Sequence, residues 1–174
     1  MIITLKAMGF ILIVCAFYIG GTLFEDLNKQ NLKELADVIN SVECMQNSIR
    51  CDKTTIYEAL GAISTHQNVM GDIARRALDE YETQKNVPLN QVLAKSVSGY
   101  RKNSFIMPSV CSVAEYMFER LGKNDFEYQI NILSEASDML KKEYARLDGD
   151  YSKTKGLYSK ASLCIGIIVA VLFI

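Results

Sequence analysis

Residues 125–174 read DFEYQINILSEASDMLKKEYARLDGDYSKTKGLYSKASLCIGIIVAVLFI, and this stretch decides the architecture that the sequence predicts. Apolar and aromatic residues recur in it at alternating spacings of three and four, the pattern of a helix with one continuous apolar seam. The seam consists of Phe126, Ile130, Leu133, Leu140, Tyr144, Leu147, Tyr151, Tyr158, Ala161, Ile165, Ile168 and Leu172. No proline interrupts the stretch. We therefore expect one long helix that is continuous through its whole length.

The ends of this predicted helix differ in polarity. Gly122 is expected to close the preceding helix, and Asn124 with Glu127 three positions later is expected to cap the new one. The first part carries Glu, Lys, Arg and Asp away from the seam, whereas residues 161–174 carry no charge. A helix that starts in water and ends in an apolar medium predicts a soluble domain joined to a membrane.

A second apolar segment lies at residues 7–24 and is long enough to span a bilayer. A cleaved signal peptide would need a basic start and a small-x-small cleavage site, but Lys6 is the only basic residue and nothing like Ala-x-Ala precedes Glu25. A lipoprotein signal would need a small residue before Cys15, where the sequence has Val14. We therefore predict an uncleaved transmembrane helix over residues 1–24.

The C-terminal apolar run is shorter. Residues 161–174 are 14 long, and extension back to Leu157 gives 18, with Tyr158 and Lys160 at the expected interface. This pattern predicts a short transmembrane helix over residues 157–174. Basic residues near the predicted membrane ends lie almost all on the loop side: Lys29, Lys33, Arg146, Lys153, Lys155 and Lys160. The positive-inside rule then places the soluble domain, residues 25–156, in the cytoplasm.

Residues 25–156 show helical rather than strand-type periodicity. An apolar stripe over residues 26–50 continues from the first apolar segment, and Thr55 with Glu58 forms a capping box for a short second helix. Pro88 and Pro108 lie near the first turns of later helices. The predicted fold class is all-α: an antiparallel bundle of about six helices flanked by an N-terminal and a short C-terminal transmembrane helix.

No constellation of catalytic or metal-ligating residues is evident. His66 is the only histidine and lies in a polar stretch, which predicts a solvated side chain. The five cysteines form no CxxC pair, which favours free thiols in a reducing compartment over disulfides or zinc. The net charge of −1 gives no global basic field for nucleic acid. The sequence therefore predicts no cofactor, no metal and no enzymatic activity.

Gly149 and Gly156 are unusual residues for the interior of the predicted long helix. Asp148-Gly149-Asp150 mimics the start of a calcium loop, but Lys153 occupies the position of the required turn glycine. Gly in a helix interior destabilises the helix by about 1 kcal/mol relative to Ala. Gly149 and Gly156 are therefore either points where the helix bends easily or glycines that the helix surface tolerates.

The order of these parts and several local patches resemble the stage III sporulation protein AB family over nearly the whole chain. The most specific patch is Leu121-Gly122-x-x-Asp125-x-x-x-Gln129, which joins the fifth helix to the last. Further similar positions are Ala59, Leu60, Ile63, Ser64, Ile132, Ala136, Leu140, Lys155, Leu157, Ser159 and Gly166. The chain departs from the family pattern at Leu93, at Cys51-Asp52 and at Met45-Gln46.

This resemblance implies a non-enzymatic subunit of a secretion-like channel assembly that endospore formation requires. It implies a place in the mother-cell membrane facing the forespore, and a soluble domain similar to the helical bundle of type II secretion platform proteins. The implied partners are a cytoplasmic sporulation ATPase and other membrane subunits of the same assembly. A two-span signalling or scaffold protein with a cytoplasmic bundle is the alternative.

Candidate interaction residues follow from these patterns. The family patch contributes Leu121, Gly122, Asp125 and Gln129, of which Asp125 also suits the positive end of a helix dipole. The outward acids Glu34, Asp37 and Glu43 and the basic pair Arg75 and Arg76 are candidate docking residues on helix surfaces. All of them have an alternative structural role.

Overall fold

A computed structural model of the protein describes residues 2–83, 87–103, 108–122 and 125–172. Within these ranges the chain forms helices and no strand. The helices are α1 (Ile2–Asp52), α2 (Ile56–Ser64), α3 (Val69–Thr83), α4 (Leu89–Asn103), α5 (Pro108–Arg120), α6 (Phe126–Thr154) and α7 (Leu157–Leu172). The predicted all-α fold class is confirmed.

The chain divides into two compact units. Lys33–Arg146 form one unit, named here the bundle unit. Met1–Leu32 and Leu147–Ile174 form the other, named the terminal unit.

The core of the bundle unit consists of the apolar stripes that the sequence predicts. Each helix contributes side chains that are almost completely buried: Leu35, Val42, Met45, Leu60, Ile63, Ile73, Ala77, Leu93, Val97, Met117, Phe118, Leu133 and Leu140. Apart from the neighbours Met117 and Phe118, these positions lie three, four or seven residues apart along their helices, so one face of each helix turns inward. Complete burial of one Leu or Ile side chain contributes about 1.5–3 kcal/mol.

The predicted capping box at the start of α2 is confirmed. The Glu58 backbone N–H donates to Thr55 Oγ1 at 3.2 Å, and the Thr55 backbone N–H donates to Glu58 Oε2 at 2.8 Å. Hydrogen bonds from Thr55, the backbone one first, hold the pKa of the Glu58 carboxyl below its usual value. The preceding helix, α1, ends at Asp52, and the next residue, Lys53, has a φ of 52° in the left-handed region.

The prediction of one unbroken last helix is wrong. The helix ends at Thr154, a second helix begins at Leu157, and the pair is bent by 41°. Gly156 has a φ of +73°, which the absence of a Cβ allows at little cost. The apolar spacing continues across this point. Such spacing shows which positions are apolar, but it carries no information about the backbone torsions between them. The helix therefore breaks at Gly156, whereas Gly149 lies inside α6.

The start of α6 differs from its predicted cap. Asn124 lies outside the described residues. The backbone N–H of Gln129 donates to the carbonyl oxygen of Asp125 at 3.2 Å, so Asp125 occupies the N-cap position.

Among the described residues, one helix by itself, α1, is long and apolar enough to cross a membrane. With 16 residues, α7 meets that criterion only when it is taken together with α6 as a bent pair.

Candidate interaction surfaces

No group of three or more His, Cys, Asp or Glu side chains that could hold a metal occurs among the described residues. The polar side chains instead form small clusters between neighbouring helices.

His66 takes part in a polar cluster that the sequence did not indicate. Ser41 Oγ lies 2.8 Å from His66 Nδ1, and Asn68 Nδ2 donates to Ser41 Oγ at 2.8 Å and to the Asp37 carbonyl oxygen at 2.9 Å. A serine beside a histidine resembles a nucleophile with its base. Ser41 is 0% exposed, however, so no substrate can reach its hydroxyl. The cluster fastens the turn between α2 and α3 to α1, and His66 is half-buried rather than fully solvated.

Gly71, a buried residue of α3, packs against the same turn. A Cβ on Gly71 would collide with the carbonyl oxygen of His66 and would lie 2.9 Å from that of Ile63. The Gly71 backbone N–H donates to Asn68 Oδ1 at 2.9 Å. Gly71 thus allows α3 to approach the end of α2 closely.

Of the three predicted outward acids, Glu34 is exposed and Asp37 and Glu43 are half-buried. Glu43 accepts a hydrogen bond from Ser137 Oγ at 3.3 Å and pairs with Lys141 Nζ at 2.5 Å. The hydrogen bond to Glu43 raises the pKa of Lys141. Glu43 therefore lies in the contact between α1 and α6, and not on an open face of α1.

The predicted basic pair also makes contacts within its own chain. Arg75 donates to Asp72 Oδ1 at 3.0 Å and to the carbonyl oxygen of Ser64 at 2.9 Å, at the C-terminal end of α2. The Arg76 guanidinium lies 5.1 Å from the centre of the Tyr100 ring. Both arginines are exposed, so these contacts leave part of each guanidinium accessible.

The family patch between α5 and α6 has a buried and an exposed half. Leu121 is 1% exposed, and Gly122 turns the chain with a φ of +80° beside Ile56. Asp125 is exposed, and Gln129 is half-buried one turn into α6. The structure therefore gives Leu121 and Gly122 structural roles and leaves Asp125 at the surface.

An aromatic and charged surface covers the outer side of α5 and the first turns of α6. Tyr116 Oη donates to Glu135 Oε2 at 2.6 Å, and this bond raises the pKa of Tyr116. The Arg120 guanidinium lies 4.1 Å from the centre of the Tyr116 ring. Tyr128 remains 37% exposed. No motif in the sequence indicates this surface, because its residues come from two helices.

The terminal unit contains a close contact between the start of α1 and α7. Phe24 and Tyr158 pack edge to face with ring centres 4.8 Å apart. A Cβ on Gly21 would collide with Ser162, and one on Gly166 would lie 2.9 Å from Phe17 Cβ. A shallow groove of about 430 Å³ between the two helices is lined by Ala16, Phe17, Gly20, Gly21, Phe24, Tyr158, Ala161, Ser162 and Ile165. Small residues thus let the two backbones approach, as they do in membrane helix pairs.

Together these features define an all-helical protein that combines a helical bundle with an apolar helix long enough to cross a membrane. The family model of stage III sporulation protein AB matches residues 6–174, so the chain belongs to this family. This confirms the resemblance seen in the sequence and supports a role in sporulation.

A solved structure of a stage III sporulation protein AB (SpoIIIAB) is similar to the chain with a TM-score of 0.60 and 12% sequence identity. The similarity covers 71% of this chain and 97% of the solved one. At this identity the likeness shows the shared helical fold. No curated protein sequence matches the chain significantly.

Proposed function

We propose that the protein is a non-enzymatic platform subunit of a secretion-like channel assembly that forms during sporulation. The observation that carries the proposal is the family match over residues 6–174 in a chain that joins a potential membrane helix to a helical bundle. Its polar clusters hold helices together or lie open at the surface, as expected of a protein that acts by binding others.

The proposed location is the mother-cell membrane facing the forespore, with the bundle in the cytoplasm. The distribution of Lys and Arg around the apolar segments supports this orientation. Residues 157–174 are proposed as a second, short membrane helix. In that arrangement Tyr158 and Lys160 lie at the lipid–water interface.

The proposed partners are the cytoplasmic sporulation ATPase and the other membrane subunits of the assembly.

The test is co-purification of the tagged full-length chain with the ATPase from solubilised membranes of sporulating cells. We expect the ATPase to be retained, and a stop codon early in this chain's gene should block sporulation. Failure to retain the ATPase would argue against the proposed partner. Nucleotide hydrolysis by the purified chain alone would contradict the non-enzymatic role.

A further inference from the structure

The outer surface of α5 and α6 has the properties of a docking site. We define this α5–α6 face by Tyr116, Glu119, Arg120, Glu127, Tyr128 and Glu135. The Tyr116–Glu135 hydrogen bond joins the two helices across this face. The residues of the face therefore lie on two packed helices and not on a loop.

The aromatic ring of Tyr128 on this face is left open by the bundle unit. Tyr128 is 37% exposed, whereas Phe118 on the inner side of α5 is 0% exposed. Tyrosine is enriched at protein interfaces, where its ring buries a large area and its hydroxyl can keep a hydrogen bond. Contact with a partner would cover this ring.

The sequence of this region is acidic, although the chain as a whole carries only −1. Residues 115–138 contain six acidic residues and two basic ones, Arg120 and Lys123. The acids Glu119, Glu127 and Glu135 of the face are exposed. Such a surface attracts cationic groups and repels nucleic acid and anionic lipid headgroups.

The face already holds one guanidinium in a favourable position. Arg120 lies over the Tyr116 ring at 4.1 Å from its centre, an arrangement that combines a cation–π contact with nearby carboxylates. A partner arginine over Tyr128 would find the same pair of features, an open ring and neighbouring acids. Arginine suits such sites better than lysine because its planar group both stacks and forms paired hydrogen bonds.

We propose that the α5–α6 face docks a basic segment of a partner protein, with an arginine side chain over the Tyr128 ring and among the acids of the face. This inference rests on the proposed function, since the first partner to be tested is the sporulation ATPase.

The main experiment compares two full-length variants of equal net charge. The test variant is Glu119→Lys with Glu127→Lys on the face. The matched control is Asp52→Lys with Asp79→Lys, two exposed acids on α1 and α3. Both proteins are first checked by circular dichroism and thermal unfolding, and their binding to the purified ATPase is then titrated at two salt concentrations.

We expect the test variant to bind the ATPase about tenfold or more weakly, with a smaller dependence on salt, while the control binds like the parent chain. Equal binding by both variants would overturn the proposed face. Loss of binding only in a third variant, Glu34→Lys, would instead place the docking surface on α1.

A second measurement decides the proposal if the parent chain does not bind the ATPase. In that case the proposed ATPase partner fails, and the face is tested by a photo-reactive benzoylphenylalanine at Tyr128 in sporulating cells, with the same group at the exposed Tyr57 as control. Two results together would support the proposal. The group at position 128 cross-links to a segment that mass spectrometry identifies as basic, and this product is lost when the chain also carries Glu119→Lys and Glu127→Lys. No product, a product equal to that of the control, or a product on a segment without basic residues would overturn it.

Discussion

The backbone N–H of Ser159 donates to Oε1 of Glu25 at 3.3 Å. Ser159 lies in the first turn of α7, where backbone N–H groups have no partner inside the helix. A carboxylate at this end also interacts favourably with the helix dipole. Glu25, 134 residues away in the chain, therefore caps α7 from α1.

Replacement of Glu25 by Ala should weaken the start of α7. Loss of a side-chain cap costs about 0.5–2 kcal/mol, and we expect faster hydrogen exchange at the Ser159 amide in detergent micelles or nanodiscs. The control is Asp26→Ala, which removes an exposed acid from the neighbouring position. Equal exchange in the two variants would show that the cap contributes nothing.

Gly156→Ala should destabilise the bend between α6 and α7. A Cβ in the left-handed region costs about 1–2 kcal/mol. The matched control is Gly149→Ala, since Gly149 lies within α6 with nothing within 4 Å of an added Cβ. Alanine should stabilise that position by up to about 1 kcal/mol. Unfolding of both variants in detergent, followed by circular dichroism, should thus give shifts of opposite sign; shifts of the same sign would contradict the bend.

Gly71→Ala should destabilise the bundle unit because the added methyl group meets the His66 carbonyl oxygen. Overpacking of this kind costs about 1–3 kcal/mol. Gly61→Ala on α2, where nothing lies within 4 Å of the added Cβ, should be neutral or stabilising. Chemical denaturation of the two proteins measures the difference. A Gly71→Ala protein as stable as the parent would mean that the turn relaxes freely.

The capping box predicts a specific dependence of stability on pH. The folded state lowers the pKa of Glu58, so its carboxylate contributes stability above its unfolded pKa of about 4.3. That contribution is lost as the pH falls through the folded value. The free energy of unfolding of the parent should therefore exceed that of Glu58→Gln near neutral pH, and the gap should close under acid.

The pH series needs a charge-matched comparison. Asp79→Asn removes one negative charge from the exposed side of α3. Its difference from the parent should change less between neutral and acidic pH than that of Glu58→Gln. A gap between parent and Glu58→Gln that stays constant down to acid would mean that the cap does not depend on the charge of Glu58.

Much of the fold could be predicted because its signals are local. The spacing of apolar residues identified buried positions such as Met45, Leu60 and Leu133, and Thr55 with Glu58 identified a helix start. Helical periodicity and caps depend on residues within one or two turns of each other. The sequence alone therefore determined an all-helical bundle, the inner faces of its helices and an apolar helix able to cross a membrane.

Only the tertiary structure decided how these faces are paired. Glu43 meets Lys141, Tyr116 meets Glu135 and Glu25 caps α7 because helices distant in the chain pack together. The structure also decided between the two roles that the sequence left open for Gly156, since an apolar spacing that continues through a glycine gives no information about its backbone torsion. Periodicity shows that a face is buried, but the partner that buries it is chosen by packing across the whole bundle.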